Sequence, residues 1–288
     1  MNKGYIKIAL AILSFAGYMQ NVAFASEAAV PTTSSNEKNR QHLNLRSRQQ
    51  GSFNPREAKQ AAAVMAEALN ISKKHAEHTD DYRFYCEMNG AVLHFKPFRY
   101  TTIGKLEFTI PNANNYADIL KMLWGPNTEN NYKNMFDTGK IFRMYNENLA
   151  IIQQYYHGPI GDSYYNVIVN KVELSDDETA ILLVSSDMKD NSKPRPIPYQ
   201  NPIVTSANSF KPVLNSEVEV RIGMLHKTYI NLMTLFIKKE ADGVKITLIG
   251  SIEHGFIPNT DRPRKTLMNI TAFIMLNFIN LKDVVKKK

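Results

Sequence analysis

Apolar and polar residues alternate with two different periods along the chain. Asn54-Pro55 is a typical helix start, a capping side chain followed by a proline in the first turn. Apolar residues then recur every three or four positions from Ala58 to Leu69, which predicts an amphipathic helix over 55–76. The period then becomes two, and Asn89-Gly90 between two alternating stretches predicts a tight β-hairpin.

The alternation continues over most of the remaining chain. It predicts strands over 82–88, 91–96, 103–110, 140–145, 149–157, 164–174, 179–185, 220–238 and 244–253, with a helix over 112–124. The connections are too short for parallel crossovers, so the sheet is predicted to be antiparallel. Residues 187–217 contain five prolines and are predicted to form a long loop.

The chain ends in a segment that is apolar almost all round a helix. Apolar side chains recur from Leu267 to Leu281 at helical spacing, and a helix from about residue 262 is therefore predicted to be covered on most sides. A membrane span is the alternative, but this stretch is shorter than about 20 residues and holds several polar ones. The predicted fold class is α+β, a curved antiparallel sheet closed by a long C-terminal helix.

The first 53 residues differ in character from the rest. Lys3 and Lys7 precede an apolar run over 8–19, and Ala23-Phe24-Ala25 follows, which predicts a secretory signal peptide over 1–25. An uncleaved membrane anchor is the alternative. Residues 26–53 are polar and are predicted to be a disordered linker, so the folded domain is expected over 54–288.

Charge and chemistry exclude several functional classes. The formal charge of the chain is +8. Two lysines before residue 26 and a net charge of +2 over 26–53 account for half of it, which leaves +4 for the domain. A nucleic-acid partner is therefore not expected. The single cysteine, Cys86, excludes an intramolecular disulfide. His75 and His78 lack a third metal ligand at a recognisable spacing. No metal, cofactor or enzymatic activity is predicted.

The order of elements resembles that of the START (StAR-related lipid-transfer) helix-grip fold over about residues 54–285. Val220-Arg221-Ile222-Gly223 after the proline-rich loop resembles the start of a strand in that family. The last predicted strand and His254-Gly255-Phe256-Ile257-Pro258 are similar to its approach to the C-terminal helix, and Trp124 matches the tryptophan that ends its short helix. The resemblance implies a domain that binds lipid in an internal cavity.

Several phrases are closer to the fam-a (Pyst-A) family of rodent malaria parasites. They are Asn54-Pro55-Arg56-Glu57-Ala58-Lys59-Gln60-Ala61, Lys121-Met122-Leu123-Trp124, Tyr145-Asn146-Glu147-Asn148-Leu149 and Ser206-Ala207-Asn208-Ser209-Phe210. This resemblance implies a secreted START domain that carries phospholipid, phosphatidylcholine in particular. Its expected location is the parasitophorous vacuole or, after export, the host erythrocyte. No export element is visible near the N-terminus.

The resemblance also implies which residues contact the lipid. Lys121 occupies the position of a phosphate-binding arginine, and Gly125 that of a choline-facing aspartate. The predicted lipid-binding set is Lys121, Trp124, Tyr155, Tyr156, Tyr164, Tyr165, Met233, Phe273 and Ile274. The tyrosines are candidates for a cation–π cage, with ordinary strand packing as the alternative. Met224, Met233, Met268 and Met275 are expected in an adaptable cavity wall, or simply in a filled core.

Three functions remain open from the sequence. The first is a monomeric, non-enzymatic lipid-transfer protein that meets donor and acceptor membranes transiently. The second is a membrane-surface interaction protein with a filled core, whose tail, Lys282 and the lysines at 286–288, touches anionic lipid. The third is a hydrolase on a START-like scaffold.

Overall fold

A single large sheet forms the centre of the protein. The computed structural model describes residues 54–124, 139–158, 161–254 and 264–285. The helices are α1 (Pro55–Glu77), α2 (Asn115–Trp124), α3 (Val218–Ile222), α4 (Arg264–Leu276) and α5 (Leu281–Val285), with 3-10 turns at Thr205–Ser209 and Asn277–Asn280. The strands are β1 (Arg83–Met88), β2 (Ala91–Phe98), β3 (Thr101–Pro111), β4 (Gly139–Asn146), β5 (Leu149–Gly158), β6 (Gly161–Ser175), β7 (Glu178–Val184), β8 (His226–Lys227), β9 (Tyr229–Lys239) and β10 (Gly243–Glu253).

The strands pair in the order β1-β2-β3-β10-β9-β7-β6-β5-β4, and every neighbouring pair along this path is antiparallel. The short β8 lies off the path and pairs with β6 in the parallel direction. The β1–β2 hairpin turns at Asn89 and Gly90, both at positive φ, as the sequence predicted. The predicted α+β class and the sheet are confirmed.

Helix α1 covers one face of the sheet, which we call the outer face. The Asn54 side chain accepts hydrogen bonds from the backbone N–H groups of Arg56 and Glu57, and this cap starts the helix where the sequence predicted. Apolar residues on one stripe of α1, such as Met65, pack into a cluster with the outward-facing side chains of the sheet. Ser72 adds a buried hydrogen bond to Thr234 of β9, with the oxygens 2.6 Å apart.

The proline-rich loop between β7 and α3 covers the rest of the outer face. Asp190 is its buried anchor, only 2% exposed. One carboxylate oxygen accepts hydrogen bonds from Lys227, Tyr164 and Asn166, and the other accepts from the backbone and hydroxyl of Ser192. Burial alone would raise the pKa of Asp190, but Lys227 and these hydrogen bonds hold it below its ordinary value. The loop is therefore an ordered layer of the fold.

The opposite face, which we call the helix-facing side, is covered by α2, α4, the second 3-10 turn and α5. Helix α2 contributes a buried stripe that ends at Trp124. The C-terminal segment contributes buried side chains from Ala272 to Val285. Among the described residues, no helix has both the length and the apolar character to cross a membrane.

Two elements differ from their predictions. Residues 218–222 form helix α3, and the strand predicted from 220 begins only at Tyr229. Valines and isoleucine alternate with charged residues there, as in a strand, but Gly223 at φ +78° closes a helical turn. The C-terminal helix is interrupted by the 3-10 turn at Asn277–Asn280, where two asparagines of low helix propensity occur. The predicted signal peptide, linker and lysines at 286–288 lie outside the described residues.

Candidate functional site

The candidate site is the apolar interior between the sheet and the C-terminal segment, which we call the helix-facing core. Inward side chains of β2, β3, β5, β6, β7, β9 and β10 form its floor, and α2, α4 and α5 form its cover. Met233 and Ile274, two predicted lipid contacts, are buried on opposite sides of it. Phe273 and Met268 are only partly buried against the same cluster. The interior is thus lined by flexible and aromatic side chains that suit acyl chains.

Helix α4 is seated on the sheet through a pair of glycines. Gly104 of β3 and Gly250 of β10 are directly paired across the two strands. The sulfur of Met275 lies where their missing side chains would be, well inside contact distance of an ideal Gly104 Cβ and 3.2 Å from that of Gly250. At Gly104 only glycine leaves room for this approach, so Met275 in the last turn of α4 packs directly on the floor.

Replacing Gly104 with alanine should therefore loosen the cover. The new methyl group would collide with the sulfur of buried Met275 and approach the Phe95 ring to 2.9 Å. We expect a loss of about 1–3 kcal/mol in the free energy of unfolding. In a Met275→Ala background the same change should cost less, because the colliding side chain is gone. Equal costs in the two backgrounds, measured by denaturant unfolding, would contradict this seating.

A buried histidine links the end of β10 to α4. The Nε2 atom of His254 lies 2.9 Å from the hydroxyl oxygen of Thr271, and both side chains are buried. Burial lowers the pKa of His254 to about 4. The histidine is therefore neutral at pH 7 and joins the last strand to the cover without a charge.

This histidine should make stability fall in mild acid. Between pH 6.5, the ordinary pKa, and about pH 4 the unfolded chain binds a proton at this position and the native protein does not. The contribution of neutral His254 to the free energy of unfolding is fully present above pH 6.5. It should decrease by about 3 kcal/mol as the pH falls to 4. Comparing unfolding of the natural protein and His254→Gln at pH 7 and 5 isolates this dependence. Parallel pH profiles for the two proteins would refute it.

Polar groups reach the helix-facing core at the β5–β6 end of the floor. The Tyr156 hydroxyl lies 2.9 Å from that of Thr228, and the rings of Tyr156 and Tyr165 are 5.7 Å apart. Burial raises the pKa of Tyr165. Tyr165 therefore brings a neutral hydroxyl to this end of the helix-facing core. A hydroxyl in this position can donate a hydrogen bond to a ligand oxygen.

The four predicted tyrosines do not form one cage. Tyr155 and Tyr164 are paired across β5 and β6 and project to the outer face. There the Tyr164 hydroxyl donates to Asp190, and the Tyr155 hydroxyl donates to Gln153. Successive residues of a strand point to opposite faces, so only Tyr156 and Tyr165 of the four lie in the helix-facing core.

The predicted head-group residues also separate. Lys121 is exposed on α2, whereas Trp124 at the end of the same helix is buried in the helix-facing core. The Trp124 indole N–H lies 3.4 Å from the backbone oxygen of Glu147. Met224, expected in the cavity wall, is one of the most exposed apolar side chains. Gly125 lies outside the described residues.

Sequence reasoning missed the polar contributors to this interior. In the structure Thr228 lies between β8 and β9, inside the region predicted as one strand, and His254 directly follows β10. Neither position carries a periodic signal that marks it as inward-facing. Gln154 is buried on the same strand face as Tyr156, a placement that alternation along β5 could have identified.

Over the described ranges, no three His, Cys, Asp or Glu side chains are grouped so that they could hold a metal ion.

Comparison with solved structures identifies the fold. Human StAR-related lipid transfer protein 5 matches with a TM-score of 0.51 and 12% sequence identity, over 78% of this chain and 98% of that chain. The chain has a START-like fold. Two other human structures match with lower TM-scores. STARD10 has a TM-score of 0.46 and 10% identity over 76% of this chain and 81% of that one. The StarD13 lipid transfer and protein localization domain has a TM-score of 0.45 and 10% identity over 74% of this chain and 94% of that one. No family model and no curated protein matches the sequence.

Proposed function

We propose that the protein is a non-enzymatic lipid carrier that binds one lipid in the helix-facing core and transfers it between membranes. The observation that carries this proposal is the apolar interior itself, closed by α4 in a fold similar to that of a lipid transfer protein. The half-buried side chains of Met268, Ile270 and Phe273 leave part of the cover available to an apolar ligand. The proposed carrier is monomeric, meets membranes transiently and binds no nucleic acid.

The proposed ligand is a phospholipid, with phosphatidylcholine as the first candidate from the resemblance to fam-a. Tyr156 and Tyr165 offer aromatic faces inside the core, and the Tyr165 hydroxyl can donate to an ester or phosphate oxygen. Lys121 is exposed on α2, so the polar contact that we propose inside the core is made by Tyr165. Tyr165 therefore becomes the polar residue on which lipid retention should depend most.

Tyr165→Phe tests this assignment. The change removes one hydroxyl and keeps the aromatic ring that packs in the helix-facing core, so the lipid-free fold should lose at most about 1 kcal/mol of stability. Retention of phosphatidylcholine should weaken roughly two- to tenfold, which corresponds to about one hydrogen bond. Transfer of fluorescent phosphatidylcholine between vesicles, together with thermal unfolding, measures both effects.

Tyr155→Phe is the matched control for this experiment. It removes a hydroxyl from the neighbouring residue, whose side chain lies on the outer face. This variant should transfer lipid at the natural rate. If Tyr165→Phe also transfers normally, the polar end of the ligand lies elsewhere. If the natural protein transfers no lipid at all, the proposed function is wrong.

We further propose that the protein is a secreted member of fam-a, acting in the parasitophorous vacuole or in the host erythrocyte. The signal-like segment over 1–25 and the shared phrases support this proposal. N-terminal sequencing of protein recovered from a secretory host should give Ser26 as the first residue. Recovery of chains that begin at Met1 would contradict cleavage.

A filled-core interaction protein is the second candidate, and one observation favours it. Met275 packs tightly against paired glycines, so at least that part of the interior is filled by the protein itself. A carrier and a filled-core protein differ in the lipid that purifies with them. In a carrier, the proposed ligand lies beside the half-buried Met268 and Ile270 in the N-terminal half of α4, away from Met275.

A further inference from the structure

Helix α3 exposes a compact apolar surface on the outside of the protein. Val218, Ile222 and Met224 are 50%, 52% and 69% exposed, whereas Val220 between them is buried. The first two lie four residues apart and share one face of the helix. Eight large apolar side chains are exposed in the part of the chain that the structure describes, and three of them fall within these seven residues. We call these three side chains the α3 surface.

The geometry of the α3 surface is fixed by its C-terminal cap. Gly223 adopts a left-handed conformation, and the backbone N–H of Met224 donates to the oxygen of Glu219 at 3.0 Å. The aliphatic part of the Lys193 side chain packs beside Gly223, 3.2 Å from the position of an ideal Cβ. Met224 is therefore held outward by a defined turn and does not extend from a frayed end.

The segments on both sides of α3 are tied to the sheet. Before it, the Glu217 carboxylate pairs with Lys140 of β4 at 2.6 Å. After it, β8 pairs with β6, and Lys227 pairs with buried Asp190 at 2.8 Å. A preformed surface loses little conformational entropy when it binds, which favours a role in contact with a partner.

The charges around the α3 surface favour an anionic partner. The neighbouring acids Glu217 and Asp190 are already paired with lysines. Arg221, within the helix, and Lys193, against its cap, are exposed cations beside the apolar side chains, with Glu219 as the opposing acid. Apolar side chains flanked by basic ones are typical of surfaces that insert shallowly into anionic membranes.

The α3 surface also lies close to the polar end of the interior. Strand β8 runs from α3 to Thr228, whose hydroxyl contacts Tyr156 inside the helix-facing core. We propose that the α3 surface docks the protein on membranes that contain anionic phospholipid, with Ile222 and Met224 inserted among the lipids. This docking does not require the interior to carry a ligand.

Vesicle flotation with protein recovered from a secretory host tests the proposal. Ile222→Ser combined with Met224→Ser should lower binding to vesicles of phosphatidylcholine and phosphatidylserine by about tenfold. Arg221→Glu should lower binding to these vesicles about fivefold or more and should change binding to pure phosphatidylcholine vesicles little. Thermal unfolding should show that both variants keep the natural fold, because the altered side chains are exposed.

Phe84→Ser combined with Met88→Ser is the matched control. It removes two exposed apolar side chains from edge strand β1, far along the sheet order from β6. This control should bind vesicles normally. Vesicle binding by the α3 double variant equal to that of the natural protein would overturn the proposal. The α3 variants should purify with the same lipid content as the natural protein, because docking and lipid binding use different parts of the molecule. A natural protein that binds vesicles but carries no lipid would refute the proposed function and would leave the docking proposal intact.

Discussion

Replacing Asp190 with alanine should be among the most destabilising single substitutions on the outer face. The change removes the carboxylate that accepts hydrogen bonds from Lys227, Tyr164 and Asn166, and it leaves a largely buried ammonium group without its partner. Breaking one side of a buried ion pair costs about 3–5 kcal/mol. For a domain of this size the melting midpoint should fall by roughly 10 °C. Thermal unfolding followed by circular dichroism measures the effect.

Asp187→Ala provides the control, because it removes a nearby acid from the same loop. Asp187 lies 3.6 Å from Lys211 in a partly exposed pair, and such pairs contribute less than about 1 kcal/mol. Combining Asp190→Ala with Lys227→Met should recover part of the lost stability, because the unpaired charge is removed as well. An Asp190→Ala midpoint within about 2 °C of the natural protein would show that the loop is not held by this anchor.

Replacing Ile274 with aspartate should release the cover of the helix-facing core. Ile274 is 3% exposed and is surrounded by apolar side chains of that core. A carboxylate there costs several kcal/mol or stays protonated, so α4 should leave the sheet before the strands separate. We expect loss of bound lipid and fast hydrogen exchange confined to α4 and α5. Phe273→Asp should act in the same direction with a smaller effect, because Phe273 is only half-buried.

Asn269→Asp is the matched control on the same helix. Asn269 is exposed, and its side-chain oxygen accepts a hydrogen bond from the Tyr85 hydroxyl at 3.0 Å, which an aspartate oxygen can also accept. The variant introduces the same charge without burying it, and it should retain lipid and native exchange rates. Normal lipid transfer by both Ile274→Asp and Phe273→Asp would show that α4 is not the cover.

The sequence predicted the local elements well because their signals are local. The cap at Asn54, the Asn89-Gly90 turn and the alternation in β10 each depend on residues within a few positions of one another. The same alternation, applied residue by residue, would have assigned Tyr155 and Tyr156 to opposite faces of the sheet. Grouping the four tyrosines by sequence proximity did not apply this alternation, which separates Tyr155 and Tyr164 from Tyr156 and Tyr165.

Other features could not be predicted because they depend on distant contacts. Asp190 is an anchor only because β6 and β8 bring Asn166, Tyr164 and Lys227 to it. The glycine pair under Met275 requires the register between β3 and β10. Residues 218–222 alternate like a strand, but they form a helical turn that ends at Gly223 in the left-handed conformation. Pattern reasoning contains none of these tertiary constraints.

The most direct test of the central claim is mass spectrometry of the intact folded protein under non-denaturing conditions. If the helix-facing core carries a lipid, the natural protein should be observed with one phospholipid bound, and Ile274→Asp should be observed without it. The Asn269→Asp control should retain the lipid. A natural protein that is lipid-free, and remains so after incubation with phosphatidylcholine vesicles, would contradict the account and favour a filled core.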